Sequence, residues 1–266
     1  MDISIITTVK NNPLGIYPTI KSVMNQSIFG KIEYIIVDAS TDTRTSVIIA
    51  DLIRNKNIKY IKSNDNNLYK GLNKGIRASK GKYIGIINSG DIYFSNDILK
   101  YILNTIRKKN PPNLIYGNLV YYNEFTITRT WNIKSGNMSK IDPFKIAHPG
   151  AFIRKNILVK NQYYSENYSI SSDLEFFLKS KKDFDGNNTR INKNIIFMKE
   201  GGLSTSIIKI PAKIFEDLSI LFSYFSLFFL FLYLKKILIK LPGFFFLNNY
   251  SLYKVLLGKL LVISKK

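Results

Sequence analysis

A chain of 266 residues with 45% hydrophobic content is long enough for one large domain, or one domain with an appendage, and too apolar to be disordered. The absence of cysteine excludes disulfides, thiolate zinc sites and a cysteine nucleophile. Lys and Arg total 39 against 18 Asp and Glu, and the net charge of +21 points to an anionic partner: a phosphorylated substrate, anionic lipid or nucleic acid.

The opening Met1-Asp2-Ile3-Ser4 has no basic region followed by an apolar one, so no signal peptide is expected and the folded part should stay on the cytoplasmic side. Ser4 to Val9 is apolar and β-branched and predicts a first buried strand, broken by Lys10-Asn11-Asn12-Pro13. Pro18 suits the first turn of a helix that carries Ile20, Val23 and Met24 inward and ends near Asn25-Gln26. A second strand, Glu33 to Val37, runs into Asp38-Ala39-Ser40-Thr41-Asp42. Thr45 to Arg54 predicts a helix with Val47, Ile48, Ile49, Leu52 and Ile53 on its apolar face, and Ile58 to Ile61 a third strand. Leu68 to Ala78 is helical in pattern and stops at Lys80-Gly81. Tyr83 to Ile87 is one more buried strand, ending in the polar turn Asn88-Ser89-Gly90-Asp91, and Asp97 to Lys108 another helix.

This alternation describes βαβ units and a mainly parallel sheet, in which ligands bind beyond the carboxyl ends of the strands. Asn11, Asp38 and Asp91 each follow a predicted strand and would converge on that edge. Neither the glycine fingerprint G-x-G-x-x-G after the first strand nor a Walker-type loop is present, so phosphate needs another device. A divalent metal held by Asp91 is the natural one, since Mg²⁺ and Mn²⁺ bind through one or two carboxylates plus substrate phosphates. An ordinary Asp-Gly turn is the plain alternative for this stretch.

Beyond a strand at Leu114 to Val120 the β signals are irregular: Phe125 to Trp131 reads as a strand and Lys134 to Asp142 as a loop. The sole histidine lies in His148-Pro149-Gly150-Ala151-Phe152. Asp173 opens an amphipathic helix with Ser171 or Ser172 as N-cap, where a carboxylate also complements the helix dipole.

Over residues 2 to 204 the motifs appear in the order found in glycosyltransferase family 2, and the chain resembles that family, of the GT-A fold, in its bacterial polysaccharide-assembly branch. They are Ser4 to Val9 with Asn11, Ser22-Val23 with Gln26, Ile36 to Asp42, Asp65 with Tyr69, Leu72-Asn73-Lys74-Gly75-Ile76, and Ala78 to Tyr83. Asn88 to Asp91, His148 to Phe152, Ser172-Asp173 and Gly201-Gly202-Leu203-Ser204 complete the series. The resemblance implies an α/β GT-A nucleotide-sugar-binding domain over residues 1–205. It implies that Asp38 contacts the nucleoside of a nucleotide-sugar, with Asp65 shaping the same pocket and Thr8, Asn11, Asn73 and Asn88 around the donor. Asp91 matches the last acid of the family's metal motif and would hold Mn²⁺ or Mg²⁺ on the diphosphate. Asn88 and Gly90 replace that motif's other acids, so metal affinity without nucleotide should be low. Asp173 matches the catalytic base, with Glu175 in reserve, and the family inverts the anomeric centre. His148, between the donor half and the base, belongs near the acceptor or the diphosphate, with a structural role as the other reading. The implied partners are a nucleotide-sugar donor, UDP-linked by expectation, and a carbohydrate or lipid-linked acceptor, with no nucleic acid. The competing readings are a nucleotidyltransferase of similar fold and a non-enzymatic basic protein that binds membrane or nucleic acid.

Residues 206–266 change character. Leu218 to Leu234 is a run of seventeen uncharged residues followed by Lys235-Lys236, and nine Lys in this segment face only Glu216 and Asp217. As one helix the run is ~25 Å long, short of a ~30 Å hydrocarbon core. The expectation is a helical, membrane-associated appendage lying in the inner face of the membrane, peripheral rather than spanning. A helical pair packed on the catalytic domain or on a partner subunit is the alternative. Pro242-Gly243 and Phe244-Phe245-Phe246 follow, and a last amphipathic stretch contains Lys254 and Lys259.

Overall fold

A computed structural model of the chain describes residues 1–54, 56–123, 126–131, 140–202 and 207–240. Residues 134–139 of the predicted loop over 134–142 lie outside them, as do Leu203, Ser204 and everything from 241 onward.

The N-terminal half follows the predicted alternation. Strand β1 (Ile3–Val9) leads to α1 (Pro13–Met24), β2 (Glu33–Asp38), α2 (Thr43–Ile53), β3 (Ile58–Lys62), α3 (Leu68–Ala78) and β4 (Tyr83–Ile86). Strands β3-β2-β1-β4 form a parallel block, and β1 is buried along its whole length, as a strand covered on both faces should be. Helix α1 starts at Pro13, earlier than the expected Pro18, because the Asn12 side chain caps it by accepting from Gly15 N at 3.0 Å. Pro18 sits inside the helix. On α2, Asp42 is the N-cap and Ile49 is buried, but Val47, expected inward, is 56% exposed.

After β5 (Ile92–Tyr93) and α4 (Ile98–Ile106), the chain builds the second half of the sheet from β6 (Leu114–Tyr122), β7 (Ile127–Trp131), β8 (Ala151–Arg154) and β9 (Asn188–Lys199). The order runs β4-β8-β6-β9-β5, with β7 added to β6. Strand β8 enters antiparallel to both neighbours, while β6 and β9 are parallel. The sheet is therefore mostly parallel toward its N-terminal strands and mixed beyond β4. Neither β8 nor β9 was legible in the sequence. The first seven residues of β9 contain Ile191 as the one apolar side chain, yet pairing with β6 places the strand inside the sheet.

Helices α5 (Lys155–Lys160), α6 (Ser172–Lys179) and α7 (Lys181–Phe184) cover this half, and Phe176, Phe177 and Phe184 meet edge-on or tilted in its core. The apolar tail is not one helix. It forms α8 (Ile210–Phe225) and α9 (Phe229–Lys240), separated at Ser226, whose φ of 46° breaks the helical path. Phe222 and Phe229 meet edge to face across the bend at 5.5 Å. Among the described residues no helix is long and apolar enough to cross a membrane. One face of the pair packs on the catalytic part, with Ile220 and Leu221 fully buried against Phe144 and Leu174.

Candidate active site

The turn Asn88–Asp91 lies at the carboxyl end of β4, next to those after β1 and β2, so the predicted sheet edge exists. Gly90 has a φ of +106°, a conformation that side chains disfavour. The turn is pinned from two sides. Thr19 on α1 accepts from Gly90 N at 2.9 Å and donates to Asp91 O at 2.8 Å, while Tyr122 on β6 donates to Gly90 O at 2.7 Å. Sequence reasoning had no signal for either residue.

Asp91 is 5% exposed, and its Oδ1 accepts from Lys199 N at 3.1 Å. Burial pushes its carboxyl up to about 7, against the opposing pull of backbone donors from Lys199 and Asn88. Such a desolvated carboxylate fits a cation as partner. Among the described residues no group of three or more His, Cys, Asp or Glu could hold a metal by itself. Asp91 is thus the carboxylate at this turn that would anchor a divalent ion, and such an ion would need further oxygen ligands, as a bound diphosphate would offer.

From this turn a line of side chains leads to Asp173. Thr8 Oγ1 donates to Asn88 Oδ1 at 3.0 Å, Asn88 Nδ2 faces His148 Nε2 at 3.2 Å, and His148 Nδ1 faces Asp173 Oδ2 at 3.3 Å. Because the Thr8 hydroxyl engages the amide oxygen, the Asn88 NH₂ is left to donate to Nε2. In the neutral ring this network assigns the proton to Nδ1, pointing at Asp173. His148 is buried, at 8% exposure, in the short turn between the 140s loop and β8. The Asp173 side chain remains 28% exposed. Burial raises its carboxyl, but the His148 ring, helped by Lys213 and Lys236, outweighs that and holds it well below the usual carboxylate range. Tyr69 on α3 steadies the same helix start: its hydroxyl donates to Ile170 O at 2.8 Å and lies 3.4 Å from Asp173 Oδ1.

Asp38 and Asn73, both expected around the donor, make these contacts within the protein. Asp38 is fully buried; its Oδ1 accepts from Ser40 N, and its Oδ2 from Ser46 Oγ, Tyr60 OH and Lys62 Nζ at 2.7–3.0 Å. Burial raises this carboxyl, but the donors prevail and lower it. Asp38 therefore organises the turn after β2, and its partners Tyr60 and Lys62 are themselves partly exposed. Asn73 is 1% exposed and braces the chain at Tyr164, donating to Tyr164 O at 2.8 Å and accepting from Tyr164 N. Its amide nitrogen also donates to Glu166 Oε1 at 3.0 Å. Asn11, with φ of 48°, links two turns by accepting from Thr41 N and Asp42 N. Asp65 pairs with Lys74 at 2.6 Å and accepts from Ser63 Oγ, which hold its carboxyl low.

The chain is similar to known proteins in sequence and in fold. The family model described as glycosyl transferase family 2 matches residues 4–199. An uncharacterised glycosyltransferase of Mycobacterium tuberculosis is 22% identical over 183 residues, 67% of this chain and 68% of that protein. The minor teichoic acid biosynthesis protein GgaB of Bacillus subtilis is 24% identical over 69% of this chain, but the match spans only 22% of its length. Among solved structures, S. aureus TarS 1-349 in complex with UDP-GlcNAc superposes with a TM-score of 0.63 at 17% identity, over 77% of this chain and 60% of that one. The mannosyltransferase PcManGT from Pyrobaculum calidifontis, in complex with GDP-Man and Mn²⁺, gives 0.54 at 13% identity over 72% and 54%. At these identities the superpositions establish the GT-A-like fold.

Proposed function

This chain belongs to glycosyltransferase family 2, and from that membership we propose that it transfers a sugar from a UDP-linked donor to a hydroxyl of a lipid-linked cell-surface polysaccharide or oligosaccharide, with inversion. Membership sets aside the reading as a non-enzymatic basic protein. The observation that carries the finer reading is the line from Asn88 through His148 to Asp173. It joins the turn beside the phosphate device to a partly exposed carboxylate. In this reading Asp173 takes the proton of the acceptor hydroxyl as it attacks the anomeric carbon, a role contributing ~10²- to 10⁴-fold. Its lowered pKa keeps it ionised and ready but weakly basic in water, and an acceptor that excludes water would strengthen it. His148 orients that carboxylate, and Asn88 holds the ring.

Asp91 would hold Mn²⁺ or Mg²⁺, which supplies charge neutralisation on the departing diphosphate. The UDP preference is supported by the UDP and UDP-GlcNAc complexes of TarS, and the polymer acceptor by the name of GgaB. A peripheral seat on the inner membrane face is supported by the outward side of α8, α9 and the turn between them, where Phe215, Phe222, Phe228 and Phe231 are 58–76% exposed in a segment rich in Lys. The test is a panel of UDP- and GDP-sugars with the purified protein and Mn²⁺, reading thermal shift and nucleotide release. A UDP-sugar response that disappears with EDTA is expected. A response to no nucleotide-sugar, or an undiminished one in EDTA, overturns the respective part.

A further inference from the structure

The base helix α6 is eight residues long, and among the described residues its N-terminus receives no capping bond from the Ser171 side chain. From 45 positions away a side chain instead clamps the backbone that leads into the helix, while within the first turn Asp173 N is met by Tyr69 OH and Leu174 N by Asp173 Oδ1. Glu216 on α8 accepts Ser169 N at 2.8 Å and Ser169 Oγ at 2.7 Å through Oε1, and Ile170 N at 2.9 Å and Ser171 N at 2.8 Å through Oε2. These four donors outweigh the burial that raises the Glu216 carboxyl and hold it low. An anion at a helix start also satisfies the macrodipole. On the other side of the same segment, Asn67 Nδ2 donates to Tyr168 O at 3.1 Å and Tyr69 OH to Ile170 O at 2.8 Å. Helix α8 is itself seated firmly: Ile220 and Leu221 are buried against Phe144 and Leu174, and the buried Asp217–Lys236 pair, 2.6 Å apart, ties α9 to it.

We infer that Glu216 is a positioning residue for Asp173, its carboxylate fixing the Ser169–Ser171 backbone from which the base helix starts. One residue, Ser172, separates the clamped backbone from Asp173, so a shift of the clamp is carried to the carboxylate. The Asp173 contacts to His148 and Tyr69, at 3.3 and 3.4 Å, lie near the outer limit of hydrogen bonding, and ~1 Å of movement breaks them. The segment read from sequence as a membrane appendage therefore completes the catalytic site. This inference rests on Asp173 acting as the base.

His148 is the sole histidine, so its ring resonances in ¹⁵N and ¹³C NMR are unique and report its contact with Asp173. In the full chain, Glu216→Ala is expected to move them in the direction set by Asp173→Asn, and Glu216→Gln, which keeps one acceptor oxygen, to move them less. Leu103→Ala, a core truncation on α4, should destabilise the protein without moving them. In turnover, Glu216→Ala should lower kcat by ~10- to 100-fold with the donor KM changed less than about twofold. Unmoved ring signals in a natively folded Glu216→Ala overturn the inference, as do equal shifts in Leu103→Ala. Should the alanine variant not fold, Glu216→Gln decides by the same readout. Ring signals unmoved by Asp173→Asn would instead overturn the His148–Asp173 pairing on which the proposed function rests.

Discussion

Replacing Asp91 by Asn should stabilise the metal-free protein at neutral pH while removing its function. Burial lifts the Asp91 carboxyl from 3.8 to about 7. An acid whose folded value lies above its unfolded value binds more protons folded than unfolded between the two. Stability therefore falls as pH rises from about 4 to about 7 and levels beyond. At about 1.36 kcal/mol per unit, a difference of about 3 units destabilises the metal-free fold by up to ~4 kcal/mol above neutrality. Asn keeps an oxygen for Lys199 N but adds a buried NH₂ costing ~1–3 kcal/mol, which leaves a net gain of ~1–3 kcal/mol at pH 8. For a chain of this size that is roughly 2–10 °C in Tm. The assay is thermal unfolding by circular dichroism at pH 5, 6.5 and 8 in EDTA at fixed salt. Wild type should be level or ahead at pH 5 and behind at pH 8. Adding Mn²⁺ with UDP should raise the wild-type Tm and leave the variant unmoved. Parallel pH slopes for the two proteins would refute the argument that Asp91 is a desolvated carboxylate awaiting a cation.

Asp173→Asn should cut turnover by ~10²-fold or more with donor binding near wild type by calorimetry, because a base acts on the acceptor. His148→Ala removes the main influence lowering the Asp173 carboxyl, so the acidic limb of the kcat–pH profile should move to higher pH. Leu221→Ala, in the small cluster that seats α8, should cost ~2–4 kcal/mol by denaturant unfolding. Replacing Phe215, Phe222, Phe228 and Phe231 together by Ser should abolish flotation with anionic liposomes while leaving the circular dichroism spectrum intact, and undiminished flotation would refute the membrane seat.

The parallel block was legible because hydrophobic period and turn chemistry act over a few residues. Ile5 to Val9 is an unbroken β-branched run, and α3 was found at its observed bounds from its helical pattern and the stop at Lys80-Gly81, to which the structure adds an Asn67 cap. The order of motifs singled out Asp91, His148 and Asp173 as candidates. The apolar count of the tail was also plain in the sequence, but not its break at Ser226, where a single left-handed residue turns one expected helix into two. Glu216 and Asp217 were visible as the only acids of that tail, yet nothing local assigned them partners. What each polar group touches was decided by the tertiary structure. Asp38 is aligned with Lys62 by the register of β2 on β3, which gives its carboxylate an internal cationic partner. Asn88 meets His148 across 60 positions and His148 meets Asp173 across 25. A carboxylate's basicity follows from its desolvation and its neighbours, and in this chain both are set by segments far from it in sequence.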